Sequence, residues 1–281
     1  MFYSYSITTT MKIVLTVLAL IVSFAIHAQK CYLTNQRQIT KAGIEFQSPK
    51  WSPDGKNILV TREKKNELYL IHLDSLNAVT MLSNENGSGL NYSWGKGNVI
   101  KYVVKVNEKF VTRENLSCMK NKPGTTKVVS DTVVEIEKPT LSIIAKLSDG
   151  SRQWKVTRCE GAFYNPVISP DKKRVAVNSG ADIFVFPISG STHGVNLGPG
   201  LVTGWSPDGK YLLAFLDESK DGHSVSNSDF FIINIENQKK IQLTFSENLI
   251  EMWPSFSADG KKIVYVEGKS GQLFIADFNT K

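Results

Sequence analysis

The sequence has few of the residues that build metal centres and disulfide frameworks. Its 281 residues include only three cysteines and four histidines. The spacings of Cys31, Cys118 and Cys159 fit neither a dense disulfide framework nor a zinc site, although one disulfide with one thiol left over stays open. After the N-terminal segment only His72, His193 and His223 are left, in separate sequence contexts. We therefore expect no metal and no cofactor.

A clustered positive charge is also lacking. The chain has 33 Lys and Arg against 26 Asp and Glu, a formal net charge of +7. The basic residues are scattered among acids, as in REKKNE, NQKK and DGKK. A solvated surface explains such interleaving better than nucleic-acid binding does, because a nucleic-acid site needs a basic patch. We expect no nucleic-acid partner.

The longest apolar stretch, from Ile13 to Ile26, is shorter than the roughly 20 residues of a membrane-spanning helix. It follows Lys12 and ends in small residues at Ala28, the plan of a cleavable secretory signal. We assign residues 1–28 to this signal, with Met11 as an alternative start. A membrane anchor and a lipoprotein at Cys31 are the alternatives, but Lys30 stands where a lipobox needs a small residue. We expect export to the periplasm or beyond and no stable membrane insertion.

A six-residue motif recurs four times in the remainder of the chain. The copies are WSPDGK at 51–56, ISPDKK at 168–173, WSPDGK at 205–210 and FSADGK at 256–261. Each is followed by an apolar run, such as NILVTR or KIVYVE, and after a loop by a second run, such as ELYLIHLD or DFFIINIE. Beta-branched and aromatic residues between turn formers are typical of short strands.

The motif itself predicts the corner of a β-hairpin. Proline fixes φ at the second position of a type I turn, Asp tolerates the third, and Gly takes the left-handed conformation after it. The repeated aspartates are therefore expected to form turns, rather than to act as paired carboxylates or calcium ligands: Asp54, Asp171, Asp208 and Asp259. The aromatic residues at the same corners are expected to pack between neighbouring repeats: Trp51, Trp205, Trp253 and Phe256.

The repeats predict an all-β, six-bladed β-propeller over residues 29–281. A short strand ending in Thr40, Thr157 or Thr244 precedes three of the corners, which makes four antiparallel strands per unit, the plan of a propeller blade. Two degenerate units fit between the first two corners, at YSWGKGNVIKYVV and SDTVVEIE. Six blades of about 42 residues result. The N-terminal strand RQIT is expected to complete the last blade and close the ring.

WSPDGK, with a preceding LT-type strand end and a following DIY-like strand, resembles the propeller repeat of TolB and of the N-terminal propellers of prolyl-oligopeptidase-type enzymes. The resemblance covers about Arg37 to Lys281 and implies the fold rather than an activity. No α/β domain like that of TolB fits between Gln29 and Ser48. The Gly-x-Ser-x-Gly elbow of a serine hydrolase is absent from the sequence. We expect a non-catalytic monomer that binds a protein or cell-envelope component.

The candidate site lies on the face opposite the corners, which we call the loop face. It carries the connections between the second and third strands and those into the next blade, and loops on a rigid scaffold often bind ligands. The residues expected to make contact are Phe46, Tyr92, Phe163, Tyr164, Asn165, Glu251 and Trp253. The polar stretch 216–229 is expected to be a solvated loop, with a Ca²⁺ site as the alternative. A lyase or hydrolase acting on a saccharide or peptide in the central channel is the alternative function.

Overall fold

A computed structural model describes residues 31–41, 43–62, 66–115, 132–246 and 249–280. Apart from the end residues Cys31 and Thr280, its strands belong to the compact unit Tyr32–Asn279. The strands in chain order are β1 (Cys31–Gln38), β2 (Phe46–Trp51), β3 (Asn57–Arg62), β4 (Leu68–His72), β5 (Ala78–Ser83), β6 (Tyr92–Trp94), β7 (Ile100–Val106), β8 (Lys109–Asn115), β9 (Thr132–Glu137), β10 (Ser142–Leu147), β11 (Gln153–Lys155), β12 (Phe163–Ile168), β13 (Arg174–Ser179), β14 (Asp182–Pro187), β15 (Val195–Pro199), β16 (Leu201–Trp205), β17 (Tyr211–Glu218), β18 (Asn227–Asn234), β19 (Lys240–Gln242), β20 (Glu251–Phe256), β21 (Lys262–Glu267) and β22 (Gln272–Thr280).

These strands form six antiparallel sheets, which confirms the predicted six-bladed propeller. Blade one is β2 to β5, blade two β6 to β8, blade three β9 to β11, blade four β12 to β15, and blade five β16 to β19. Blade six has the order β1-β22-β21-β20, so the N-terminal strand completes the last blade as predicted. The stretch 116–131, which includes Cys118, lies outside the described residues.

The apolar runs are buried on both faces because each blade packs between two others. Alternate residues of a strand point to opposite faces of its sheet. In β3, Ile58 and Val60 join a core with blade six, whereas Leu59 joins a core with blade two. Similar cores fill the interfaces of blades three and four and of blades four and five. A propeller strand therefore reads as a continuous apolar run rather than an alternating one.

The corner motif has the predicted turn geometry, and its serine proves as important as its aspartate. Ser52 Oγ donates to Asp54 Oδ1 at 2.6 Å and accepts from the backbone N–H of Asn57 at 2.9 Å. Asp54 Oδ1 also accepts from the Lys56 amide, and Gly55 has the left-handed φ of 70°. The same bonds recur in the other copies, at Ser169 and Asp171, Ser206 and Asp208, and Ser257 and Asp259. The repeated aspartates therefore stabilise the corner turns.

The repeated threonine ties the outermost strand to the one inside it. In each case the buried hydroxyl accepts a hydrogen bond from a backbone N–H near the start of the neighbouring strand. The bonds are Leu273 N to Thr40 Oγ1 (2.9 Å), Ile143 N to Thr157 Oγ1 (3.0 Å) and Phe230 N to Thr244 Oγ1 (2.9 Å). The threonine supplies an acceptor where the strand ladder ends, which keeps a buried amide satisfied.

Tryptophans before the corners join neighbouring blades, as expected for Trp51 and Trp205. Each indole N–H donates to a backbone carbonyl in the innermost strand of the preceding blade. The bonds are Trp51 Nε1 to Ser255 O (3.1 Å), Trp94 Nε1 to Lys50 O (2.9 Å) and Trp205 Nε1 to Val167 O (2.9 Å). Each acceptor residue directly precedes the corner residue of its own blade, which is the position that the donating tryptophan occupies in the next blade. The contact therefore recurs at the same place between three pairs of blades.

The stretch 216–229 differs from the predicted long loop. Asp217 pairs with Ser228 and Glu218 with Asn227, so β17 and β18 take up its two ends and leave a loop at 219–226. The continuous apolar run of β17 ends at Leu216, and cross-strand pairing continues the hairpin beyond it. Asp221, in the short remaining loop, accepts hydrogen bonds from the backbone and hydroxyl of Ser224 and from nearby groups.

Two further observations concern the described part of the chain. No helix in it is long and apolar enough to cross a membrane. Cys159 is half-buried and is a free thiol.

The corner of blade four predicts a stabilising substitution. Lys172 stands where other copies have Gly and has a φ of 58°, a conformation that disfavours residues with a Cβ. We expect Lys172→Gly to raise the free energy of unfolding by about 0.5–1 kcal/mol, measured by urea denaturation. Gly55→Lys is the matched control, since nothing lies within 4 Å of an added Cβ there. It should destabilise by a similar amount, and a gain from both changes would contradict the argument.

Candidate functional site

The innermost strands of five blades surround a central channel. Residues of β2, β6, β12, β16 and β20 and of the loop before β6 line one cavity of about 760 Å³. A volume of this size can hold a small molecule. The walls consist mainly of aromatic rings, prolines, aliphatic side chains, hydroxyls and amides. Among the described lining residues Lys50 is the one charged side chain, and none is a carboxylate or an imidazole.

Three of these innermost strands carry the same irregularity. Ser48, Asn165 and Trp253 lie at interruptions of the strand register and have φ values of 52°, 54° and 50°. Each of them precedes a proline that lines the channel. The residue before proline ordinarily prefers an extended backbone, so each position stores strain of about 1–3 kcal/mol. Bulges of this kind redirect side chains and are common beside binding sites.

Lys50 extends from β2 into the channel. Its Nζ donates to Tyr92 O at 2.7 Å and lies 4.7 Å from the centroid of the Tyr92 ring. The side chain is exposed to the channel's solvent, yet protein surrounds it closely. The surrounding channel walls remove part of the water around the ammonium, and this desolvation lowers the pKa of Lys50 to about 8. The ammonium has a carbonyl and a π face as neighbours but no carboxylate of the described residues within ion-pair distance.

Four of the predicted contact residues line this channel. Tyr164 is 42 % exposed and its hydroxyl donates to Gly180 O. Trp253 is half-buried, with its ring centroid 6.2 Å from that of Phe215, and Asn165 Nδ2 donates to Val202 O at 2.6 Å in the next blade. Tyr92 is the fourth; only 3 % of it is exposed. The structure therefore brings these four together, and whether they bind a ligand stays a prediction.

Phe46 and Phe163 are not available on the loop face. They are 1 % and 2 % exposed, and each packs edge-on against rings of its own blade, Phe46 against Tyr69 and Phe163 against Phe186. The sequence places them next to polar loop residues, but each begins an innermost strand, β2 or β12. At this position the side chain turns into the interface between blades, which is why both are buried.

Glu251 occupies the position in blade six that Phe46 and Phe163 occupy in their blades, five residues before the aromatic or aliphatic residue at the corner. It is 2 % exposed and lies apart from the channel lining. Ser246 Oγ donates to Oε1 at 2.5 Å, while Oε2 has no hydrogen-bond partner among the described residues. Burial raises the pKa of Glu251 to about 7, and the charges of Asp229 and Glu267 add to the rise.

The remaining candidates for chemistry are dispersed. His72 lies in blade one, His193 in blade four and His223 in blade five. Asp217 accepts from Ser228 Oγ, and burial raises its pKa, whereas Asp229 accepts from Gln242. Within the described ranges no three His, Cys, Asp or Glu side chains are grouped so that they could hold a metal ion.

Lys50 is not among the predicted contact residues because it lies within a strand, whereas the predicted contacts are placed at loops. A signal was present in the sequence. The segments SPKW, NPVI and WPSF place a proline two residues before the end of three innermost strands. Proline inside a strand marks an edge or a bulge, so this second repeat could have identified the channel wall.

The buried carboxyl of Glu251 predicts a stability that depends on pH. Its folded-state pKa of about 7 lies above the ordinary value of 4.5, so folding is favoured below pH 4.5 and that contribution is lost as pH rises through 7. We expect Glu251→Gln to raise the free energy of unfolding by about 1–2 kcal/mol at pH 8 and to change it little at pH 5. Urea denaturation at both pH values measures this. If Glu251→Gln lowered the free energy of unfolding equally at both pH values, Glu251 would not be a buried carboxylate that ionises without a countercharge.

Comparison with known proteins supports the fold. A gluconolactonase from Xanthomonas campestris matches with a TM-score of 0.59 and 8% sequence identity, over 88% of this chain and 91% of the gluconolactonase chain. At that identity the match shows the propeller fold alone. No protein-family model matches the chain. No curated protein sequence matches it either.

Two TolB structures are also similar, at lower structural scores. The first, a putative TolB from Agrobacterium tumefaciens, has a TM-score of 0.37 and 17% identity over 85% of this chain and 78% of its own. TolB from Acinetobacter baumannii has a TM-score of 0.39 and 18% identity, over 83% of this chain. The present chain spans only 54% of that second TolB.

Proposed function

We propose that the chain is an exported, non-catalytic propeller that binds a protein or cell-envelope component through its loop face. The observation that carries the proposal is the chemistry of the channel walls. Acid-base catalysis most often uses an imidazole or a carboxylate, and metal-assisted hydrolysis needs a cluster of metal ligands. The described lining offers rings, amides, hydroxyls and one amine instead.

The loop face has features that suit a macromolecular partner. Leu90 and Tyr164, at the loop-face end of the channel, are 51 % and 42 % exposed, and Phe245 on the same face is 75 % exposed. Exposed apolar side chains around a concave mouth commonly serve as anchors in protein interfaces. The N-terminal signal pattern and the resemblance of the SPDG repeat to that of TolB agree with a partner in the cell envelope.

A capture experiment tests the binding function. The chain without residues 1–28 is immobilised and exposed to cell-envelope extract. We expect one protein or glycan to be retained, and Leu90→Ala combined with Tyr164→Ala to reduce its capture about tenfold or more, because both anchors are lost.

Lys210→Ala is the matched control for this experiment. Lys210 lies in the corner of blade five, on the opposite face, and is largely exposed. Its substitution should leave capture unchanged. The proposal would be contradicted if no envelope component were retained. It would also be contradicted if Lys210→Ala reduced capture as much as the double substitution on the loop face.

An enzyme acting in the channel is the second candidate function. It is favoured by the propeller fold shared with the gluconolactonase and by Lys50, an amine of perturbed pKa in a cavity. We expect the purified chain to hydrolyse gluconolactone no faster than buffer, with or without added divalent cations. Hydrolysis above the buffer rate that Lys50→Met abolishes would overturn the non-catalytic function and favour the enzyme.

A further inference from the structure

Among the described residues, the close neighbours of the Lys50 ammonium are groups that cannot neutralise it. Its hydrogen-bond acceptor is the Tyr92 carbonyl, and its other close neighbour is the Tyr92 ring. Burial raises the pKa of Tyr92, so its hydroxyl stays neutral and cannot supply a countercharge. An ammonium has three N–H donors, and one of them is used. The other two are left for the contents of the channel.

The hydrogen bond to Tyr92 O orients this ammonium before any ligand arrives. Lys50 O accepts from the indole of Trp94 at 2.9 Å, which holds the backbone at this point of β2. Beneath the ammonium, Tyr92 is held in turn because its hydroxyl donates to Ser48 O at 2.5 Å. A charge held in place by its surroundings binds an opposite charge with little further loss of conformational entropy.

The other walls of the channel combine an apolar part with hydroxyl and amide groups. Pro166 and Pro254 of the bulges, Leu201 and the rings of Tyr164 and Trp253 line the same cavity. These surfaces offer contact area but few hydrogen bonds, since the Tyr164 hydroxyl is already bonded to Gly180 O. A ligand that contacts both the ammonium and this apolar part of the wall therefore has one negative charge and an apolar body.

We propose that the channel binds a small organic carboxylate, with its oxygens on Lys50 Nζ and its apolar body against the rings and prolines of the facing strands. This site lies inside the channel and does not depend on a macromolecular partner at the loop face. A carboxylate pairs with an ammonium through charge-assisted hydrogen bonds, which are stronger than neutral ones. Enclosure by protein strengthens the attraction further, because solvent screening is reduced.

A matched pair of probes tests the proposal. Benzoate and benzamide have nearly the same shape, and only benzoate is charged. Trp51, Trp94 and Trp253 line the cavity, so binding can be followed by tryptophan fluorescence at pH 7. We expect benzoate to have a dissociation constant about tenfold or more below that of benzamide. Equal affinities, or no binding of either probe up to their solubility limits, would overturn the proposal.

Variants test the role of Lys50. Lys50→Met keeps the length of the side chain and removes its charge, so it should abolish the preference for benzoate; Lys210→Met, on the opposite face, should preserve it. Thermal unfolding establishes that each variant folds. If Lys50→Met does not fold, the role of Lys50 is tested in the wild-type chain instead. The rate at which each lysine is acetylated is then measured by mass spectrometry with and without benzoate. Benzoate should slow the reaction at Lys50 and not at Lys210.

Inorganic phosphate distinguishes an organic carboxylate site from a general anion site. Phosphate has charge but no apolar body, so it should displace benzoate only at concentrations well above those of benzoate itself. Displacement by equimolar phosphate would overturn the assignment to an organic carboxylate. Unchanged benzoate binding in a folded Lys50→Met variant would overturn the role of the ammonium.

Discussion

The hydrogen bond from each corner tryptophan to the preceding blade is the contact on which the arrangement of the channel depends. An indole N–H must find an acceptor when its ring is buried, and here the acceptor is a backbone carbonyl of the neighbouring innermost strand. The bond runs from blade two to blade one, from blade one to blade six, and from blade five to blade four. It fixes the spacing of the strands that form the channel wall, and it determines where Lys50 stands.

Much of the fold could be predicted because the repeat encodes local geometry. The polar groups of the Ser-Pro-Asp-Gly corner are hydrogen-bonded within the corner itself, so four blades carry nearly the same motif. The spacing of these four copies allows all six blades to be counted. The ends of hairpins could not be predicted in this way. Asp217 and Ser228 are polar, and their membership of a strand follows from cross-strand pairing rather than from an apolar pattern.

The candidate site could be predicted only in part, for a related reason. Tyr164 and Trp253 stand next to loops and do face the channel, whereas Phe46 and Phe163, with similar neighbours in sequence, are turned into the interfaces between blades. The difference is set by the strand alternation and by the bulge at the residue before proline. The proline marks the bulge in the sequence, but it does not reveal the direction in which each side chain turns. Glu251 is an extreme case, because a carboxyl occupies a position that is aromatic in two other blades.

The prolines of the channel wall restrict how any occupant can be held. The innermost strand of a blade pairs with a neighbour on one side, so its other edge faces the channel. Pro49, Pro166 and Pro254 offer no N–H along that edge, and the bulges beside them break the regular spacing of backbone groups. An extended peptide therefore cannot add to these blades as a further strand. At these three blades recognition has to be achieved by side chains, which favours compact ligands over unfolded polypeptide.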